Sequence, residues 1–484
     1  MSLRVRMAPA PSGALHVGNV RTFLFNGLYA RRHEGVLVLR IEDTDRARFT
    51  EEAYEAALQD LRWIGLDWDE GPDIGGGYGP YRQSQRAELY QSAAMRLLES
   101  GAAYRCYCTP EELKQRREEA MAAGRPPGYD RRCYRLIDAE REAFETAGRP
   151  WAVRFFVPPG TTTFKDLVVG EVTVEHERIE DFVIMRSDGS TLYQLGVVVD
   201  DATMAITHVI RGDDHLSNTP KQILLHRAFG GAVPLFAHLP QVLGPDRRPL
   251  SKRHGSTSLS EFRTAGYLPE ALRNYLALLG WGTAEDTILT AEELVARFDI
   301  EDVHPSPAIF DFAKLDWLNG EYIRALSDEE LARRLEPFLA RAGLVSQTSS
   351  EAERDLIAAV APLIKTRIER LDQAADLVRG IFVDVDANAQ AEVLQEPHVA
   401  TLLDRAIDAL EKIEPWNPER IEAALRGVQT EMGLKPKRAF IPFYVAVMGS
   451  RVAAPIFDSM ALIGRERSLE RLRRARRGLE GEDE

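Results

Sequence analysis

Residues 4–41, RVRMAPAPSGALHVGNVRTFLFNGLYARRHEGVLVLRI, set the fold class. Arg4 to Ala8 reads as a short strand, and Pro9 to Leu15 as a Pro/Gly loop. From His16 to about Arg32 the apolar residues Val20, Phe23, Leu24 and Leu28 recur at helical spacing. Val36 to Ile41 is a nearly continuous apolar run. Such a run fits a strand buried on both faces of a parallel sheet. Strand, loop, helix and strand within about 40 residues make a βαβ unit. An α/β fold is therefore expected, with ligands bound outside the carboxyl ends of its strands.

Working outward, Tyr54, Leu58, Leu61 and Ile64 mark another helix. From about Ala103 the texture changes to a mixed α+β insertion. It opens with a helix start at Thr109-Pro110-Glu111-Glu112 and continues with β-rich pieces at 152–157, 168–174 and 182–185. Strand-like runs return at Leu192 to Val199 and Thr207 to Arg211, then a helix from about Thr219 to Phe229 and a strand from His238 to Leu243. Beyond Leu259 the pattern is almost wholly helical, with helix starts at Thr290, Ser327 and Asn417. From Ser327 onward no period-2 strand pattern is found.

The chain has 484 residues, with 61 Lys and Arg against 75 Asp and Glu, a formal charge of −14. No apolar run approaches the ~18 residues of a membrane span. Pro9 and Pro11 interrupt any signal-type apolar core at the N-terminus. Three cysteines cannot build a disulfide framework, so a cytoplasmic protein with no membrane partner is expected. Taken as an average, the acidic balance argues against a nucleic-acid partner. Locally it does not: residues 1–50 hold eight arginines against four acids, and 431–451 holds Lys435, Lys437, Arg438 and Arg451 against Glu431. A basic track on an acidic body is the expectation.

Two loops carry chemistry. Ala8 to Asn19 lies between a buried strand and a helix start, whose free N–H groups and dipole suit phosphate. Gly18 lets a flat ligand approach the backbone, and His16 can donate to phosphate oxygens. The plain alternative is a Pro/Gly loop capping an ordinary helix. Gly244 to Gly255 is a glycine-bounded basic loop whose Lys252 could neutralise charge on a reacting phosphate. Its alternative is a solvated turn.

His16-Val17-Gly18-Asn19 and Pro249-Leu250-Ser251-Lys252-Arg253 resemble the two signature motifs of class I aminoacyl-tRNA synthetases. Arg40 to Arg48, Gly79 to Arg86, His208 to His215 and Tyr267 to Leu272 are similar to segments of glutamyl-tRNA synthetases of bacterial type, and the resemblance spans essentially the full chain. It implies a ligase that activates L-glutamate with ATP and Mg2+ and transfers it to tRNA(Glu). His16, Gly18 and Lys252 would be catalytic, and Pro9, His16, Gly18, Asn19, Asp214, Ser251 and Lys252 would bind ATP. Arg6, Tyr193 and Arg211 would take the side-chain carboxylate of glutamate, and Glu42 its ammonium. Guanidinium groups and an anion suit a substrate with two carboxylates and one ammonium. Arg46, Arg48 and Arg367 would bind tRNA; for Arg367 a solvated basic face is the alternative. Departures from the family pattern are Ala10, Asn19, Val197 and Pro249.

The implied organisation is a Rossmann-like catalytic domain in two halves, 1–102 and 191–255. Between them lies an acceptor-end-binding insertion at 103–190. A stem-contact helical domain at 256–326 and an all-helical anticodon-binding region at 327–484 follow. The helical C-terminal half separates this chain from glutaminyl enzymes and from shortened relatives. Charging of tRNA(Gln) as well, and a non-catalytic RNA-binding role, remain as alternatives. A monomer is expected. Cys106, Cys108 and Cys133 are spaced as thiolate ligands for zinc. With Tyr129 they resemble a zinc site of some members of the family; three reduced cysteines are the alternative.

Overall fold

The computed structural model describes residues 2–10, 13–44, 49–124, 128–282, 287–386 and 390–479, with Lys252 and Ala391 described by their backbone alone. The chain divides into two compact units, Met1–Glu261 with Leu272–Asp311, and Phe262–Ala271 with Phe312–Glu484.

The first unit is α/β. Strand β1 (Arg4–Met7) leads through helix α1 (Val17–Arg32) to β2 (Val36–Leu39), which pairs parallel with β1. Both strands are almost wholly buried, as a central parallel sheet requires. Helices α2 (Glu51–Trp63) and α3 (Ala87–Glu99) follow. An inserted segment then holds a three-stranded antiparallel sheet: β3 (Ala103–Cys106), β4 (Ala152–Phe155) and, after the hairpin described next, β7 (Phe182–Met185). Helices α4 (Pro110–Ala122) and α5 (Asp138–Thr146) connect β3 to β4. The hairpin of β5 (Thr161–Asp166) and β6 (Gly170–Glu175) leaves this sheet. The chain returns through helix α6 (Tyr193–Thr203), β8 (His208–Gly212), helix α7 (Thr219–Ala228) and β9 (Leu235–Leu239). β8 and β9 are parallel, and β5 joins β9 at the pair Asp166–Phe236.

The run Leu192 to Val199, expected as a strand, is helical from Tyr193. Leu195, Val197, Val198 and Val199 are all buried. A helix enclosed on most sides loses its polar stripe, and its apolar run imitates a buried strand. The strand expected over His238 to Leu243 breaks at Pro240 into β9 and β10 (Val242–Leu243). β10 pairs parallel with β11 (Ala308–Ile309).

β1 lies between β2 and β8: Thr207 N donates to Arg4 O at 2.9 Å, and Arg6 Nη1 reaches Ile210 O at 3.4 Å. The chain winds away from this junction in both directions, so the crevice outside the ends of β1 and β8 is a topological switch point.

The second unit is all-helical among the described residues. Leu335, Val360, Ile364, Leu402, Leu425, Phe443 and Leu472 are buried in one core. At Gly380, in the helix Ala374–Phe382, a Cβ would fall 2.7 Å from Met448 O at the end of the helix Pro436–Met448, so glycine is what lets these two helices approach.

Candidate functional site

Arg6 and Arg211 occupy matching places near the carboxyl ends of β1 and β8. Both are buried, at 5% and 6% exposure. Arg6 Nε donates to Asp201 Oδ1 at 3.2 Å. Arg40, fully buried at the end of β2, donates through Nη1 to the same oxygen at 2.6 Å and through Nη2 to Glu42 Oε1 at 3.1 Å. Burial alone would raise the Asp201 carboxyl, but Arg6 and Arg40 outweigh it and bring it to about 2. Glu42 moves up instead, because burial outweighs Arg40 and Arg6. Its backbone N–H is fixed on Pro9 O at 2.9 Å. Tyr193 is half-exposed at the start of α6, with its hydroxyl 2.9 Å from His215 Nδ1. Burial raises the Tyr193 phenol, helped by Glu42, to about 12.

Arg211 donates through Nε to His238 Nε2 (3.1 Å) and through Nη2 to Thr219 Oγ1 (2.7 Å). Its Nη1 is buried and has no hydrogen-bond partner among the described residues, so it can receive a further acceptor. Arg6, Glu42, Tyr193 and Arg211 are mutually coupled in charge. Three guanidinium groups, Arg6, Arg40 and Arg211, thus lie near two carboxylates, Asp201 and Glu42, and a phenol.

The second part of the site joins the two glycine loops. Val17 N donates to Thr257 O (2.9 Å), Leu259 N to Leu15 O (3.1 Å), and His16 faces Ser258 in an isolated bridge. His16 is the N-cap of α1: its Nδ1 accepts from Gly18 N at 3.1 Å. The ring's remaining N–H is therefore on Nε2, where the Leu250 backbone carbonyl is its hydrogen-bond partner. Burial lowers the His16 pKa although the Leu250 backbone opposes it, which keeps the ring neutral. A Cβ at Gly18 would sit 3.3 Å from His16 Nδ1, so the small residue leaves room for the cap. Residues 242–250 form a tight hairpin, with Gly244 N on Arg248 O at 2.8 Å and Leu250 N on Val242 O at 3.2 Å. Its turn places Arg247 at φ 59°.

Between these loops lies a cavity of about 310 Å³. His16, Gly18, Asn19, Arg21, Asp214 and Leu250 are among its lining residues. Arg21 is the residue sequence reasoning missed here. It is 3% exposed, burial lowers it to about 10 against the pull of Asp213, and its Nε is unpartnered. Ser251 sits beside the cavity's Leu250, its N–H on His254 Nδ1 at 3.1 Å. The Lys252 side chain lies outside the described residues, as do Arg46 and Arg48.

The three cysteines cluster, with their Sγ atoms within 4.8 Å of one another. Cys108 Sγ is 3.5 Å from Cys133 Sγ, and the Tyr129 hydroxyl is 3.5 Å from Cys106 Sγ and 3.8 Å from Cys108 Sγ. A tetrahedral zinc with Zn–S near 2.3 Å spaces its sulfurs by about 3.7 Å. The Arg154 guanidinium stands 3.8 Å from the centre of the Tyr129 ring, a positive charge beside the cluster, whose Cys108 thiol and Tyr129 phenol are pushed up. Hydrogen bonds from Cys108 and Cys133, reinforced by Arg154, push the Cys106 thiol down. In the helical unit Arg367 is exposed in the turn after Glu351–Ile364, its Nη1 3.4 Å from Ala453 O.

Residues 2–317 match the family described as tRNA synthetases class I (E and Q), catalytic domain, and residues 330–476 the family described as anticodon binding domain. A glutamate–tRNA ligase of Moorella thermoacetica is 45% identical over 480 residues, 98% of each chain. Glutamate–tRNA ligase 2 of Rubrobacter xylanophilus is 48% identical over 479 residues, 97% of this chain and 96% of that one. A crystal structure of a glutamate tRNA ligase from Elizabethkingia meningosepticum, in complex with its amino acid, superposes with a TM-score of 0.86 at 30% identity. It covers 99% of this chain and 100% of that one.

Proposed function

The chain belongs to the glutamate–tRNA ligases of class I, and on that premise we propose how its residues divide the work. Arg6, Tyr193 and Arg211 hold the side-chain carboxylate of L-glutamate, and Glu42 holds the ammonium. The observation that carries this reading is the buried, unpartnered Nη1 of Arg211, coupled in charge to Arg6, Glu42 and Tyr193. A carboxylate completes that arrangement; an uncharged amide leaves one of its arginines without an anion.

ATP lies in the cavity between the two loops, against Pro9, His16, Gly18, Asn19, Asp214, Ser251 and Lys252. The glutamate α-carboxylate attacks the α-phosphate in line, and pyrophosphate leaves. Positioning and charge stabilisation do most of the work. His16 Nε2–H and the Lys252 ammonium supply that stabilisation, and the N-terminus of α1 adds its dipole. Mg2+, when bound with ATP, neutralises charge on its phosphates. The 2′-hydroxyl of the terminal adenosine of tRNA(Glu) then attacks the adenylate carbonyl, the mixed-anhydride C–O bond breaks, AMP leaves, and the hydroxyl proton passes to a phosphate oxygen of the departing AMP. Residues 103–190 receive the acceptor end, 256–326 the stem and 327–484 the anticodon arm, with Arg46, Arg48 and Arg367 as RNA contacts. The enzyme works as a cytoplasmic monomer.

Lys252→Ala tests the assignment. Glutamate-dependent ATP–pyrophosphate exchange in the presence of tRNA should fall at least about 100-fold, a loss typical of one charge-stabilising group. Binding of tRNA should change little. Unaltered exchange would remove Lys252 from the chemistry.

Cys106, Cys108, Tyr129 and Cys133 fit a structural zinc site, four ligands and no open position. Metal analysis of unchelated protein should find about one zinc per chain, and Cys133→Ser should lose it. A stoichiometry below a few tenths would leave three reduced thiols.

A further inference from the structure

Asp166 stands at the end of β5, on the hairpin of the inserted segment that joins β9, and it is 1% exposed. Its Oδ1 accepts from Val168 N (3.0 Å), Val169 N (2.9 Å) and His238 N (3.2 Å). Its Oδ2 lies 2.6 Å from His238 Nδ1, and both side chains are fully buried. A carboxylate only accepts, so Nδ1 carries the imidazole proton. Burial lowers the His238 pKa against the pull of Asp166, which keeps the ring neutral. Nε2 is then a bare lone pair, and it receives Arg211 Nε–H at 3.1 Å, with Thr219 Oγ1 3.0 Å away. Thr219 Oγ1 in turn takes Arg211 Nη2 at 2.7 Å. A guanidinium is planar, so anchoring Nε and Nη2 sets the direction of Nη1. The Phe236 ring, on the residue that pairs with Asp166, lies 5.6 Å from the Arg211 guanidinium and stacks on His238.

We propose that Asp166 and His238 are positioning residues for glutamate binding: Asp166 fixes the tautomer of His238, which with Thr219 aims Arg211 at the side-chain carboxylate. This rests on reading Arg211 as part of the carboxylate site. With the opposite tautomer, Nε2–H would face Arg211 Nε–H, two donors with no acceptor between them, and the guanidinium would turn away. The carboxylate that fixes it comes from the inserted segment, so that segment contributes to amino-acid selection as well as to its own fold.

Asp166→Asn is the informative variant. Its carbonyl can stay on Val168 and Val169, while its amide N–H2 replaces Oδ2 and forces the proton to Nε2. In aminoacylation of tRNA(Glu), KM for glutamate should rise at least about tenfold, the loss of one hydrogen bond to a charged group. KM for ATP and kcat should stay within about twofold. His238→Gln supplies an amide oxygen toward Arg211 without a tautomer, so Asp166→Asn should add less than about twofold in that background. If Asp166→Asn does not accumulate folded, Thr219→Val should raise KM for glutamate with KM for ATP unmoved. The relay is overturned if the affected variant moves both KM values together, moves neither, or adds its full effect on top of His238→Gln. Arg211→Lys separates the two ideas. Unchanged KM for glutamate there overturns the site assignment, and the relay with it. A raised KM there with an inert Asp166→Asn overturns the relay alone.

Discussion

His16 carries two roles on two nitrogens. Nδ1 caps α1 through Gly18 N, and the ring lines the cavity, where we assign Nε2–H to charge stabilisation. Substitution separates them. His16→Asn keeps a side-chain oxygen at a favoured N-cap position, so thermal stability should hold within about 0.5 kcal/mol. Exchange should still fall about 100-fold. His16→Ala should lose the activity and a further ~1 kcal/mol of stability. Equal melting of the two variants would mean the cap contributes nothing. The sequence shows such residues when they sit in a motif: Arg6, His16, Glu42 and Arg211 all follow from resemblance and residue type. It does not show Arg40, Asp201, Asp166 or His238 in their roles. The Arg40–Asp201 contact spans 161 positions and the Asp166–His238 contact 72. No local pattern announces a partner at that distance, and a buried arginine reads like an exposed one until its anion is located.

Elements were legible where they end in chemistry that local residues decide. Thr109, Thr290, Ser327 and Asn417 each accept from the backbone N–H expected of an N-cap. The run over Leu192 to Val199 was not legible, because a helix buried on most sides has no polar stripe to betray its period. The hairpin of β5 and β6 was only half seen: Thr161–Asp166 mixes exposed and buried residues, but its threonines hide the pattern. The capping box at Thr109 and Glu112 bears on the cysteine site, because only the cap residue separates Cys108 from α4. Thr109→Ala should cost about 1 kcal/mol. It should also speed hydrogen exchange at the first turn of α4, while the β1–β2 ladder keeps its protection. Uniformly faster exchange across the first unit would place the damage elsewhere.

At the scale of the molecule, four of the six described arginines of the N-terminal segment prove to be interior, while Arg31 and Arg32 are exposed. Arg4, Arg6, Arg21 and Arg40 are all buried, and Arg4 is held bidentately by Glu70 at 2.9 Å. Net counts cannot distinguish such groups from a surface that meets RNA. Lys435, Lys437, Arg438 and Arg451 are exposed, although Arg438 and Arg451 pair with Glu396 and Glu392. Burial of ionisable groups also distinguishes the two units. His16, His208, His215, His226 and His238, all in the first unit, have pKa values lowered by burial. A histidine depressed in the folded state takes up its proton first in the unfolded chain. Stability present at pH 7.5 is then lost as pH falls through about 6.5. The fully buried His226 and His238 set the scale, at most about 3 kcal/mol for one pH unit, and the raised Glu42 and Asp200 offset part of it. In the helical unit the displaced carboxylates Glu330, Glu353 and Asp384 move down, so their acid loss begins below about pH 4.5. Calorimetry of the full chain should therefore show one transition dropping by a few degrees between pH 7.5 and 5.5 while another holds. Glutamate with ATP should raise the acid-sensitive transition, because ligands stabilise the unit that binds them. Transitions that shift together with pH, or a ligand effect on the acid-resistant one, would contradict this assignment of the histidines' effect to the catalytic unit.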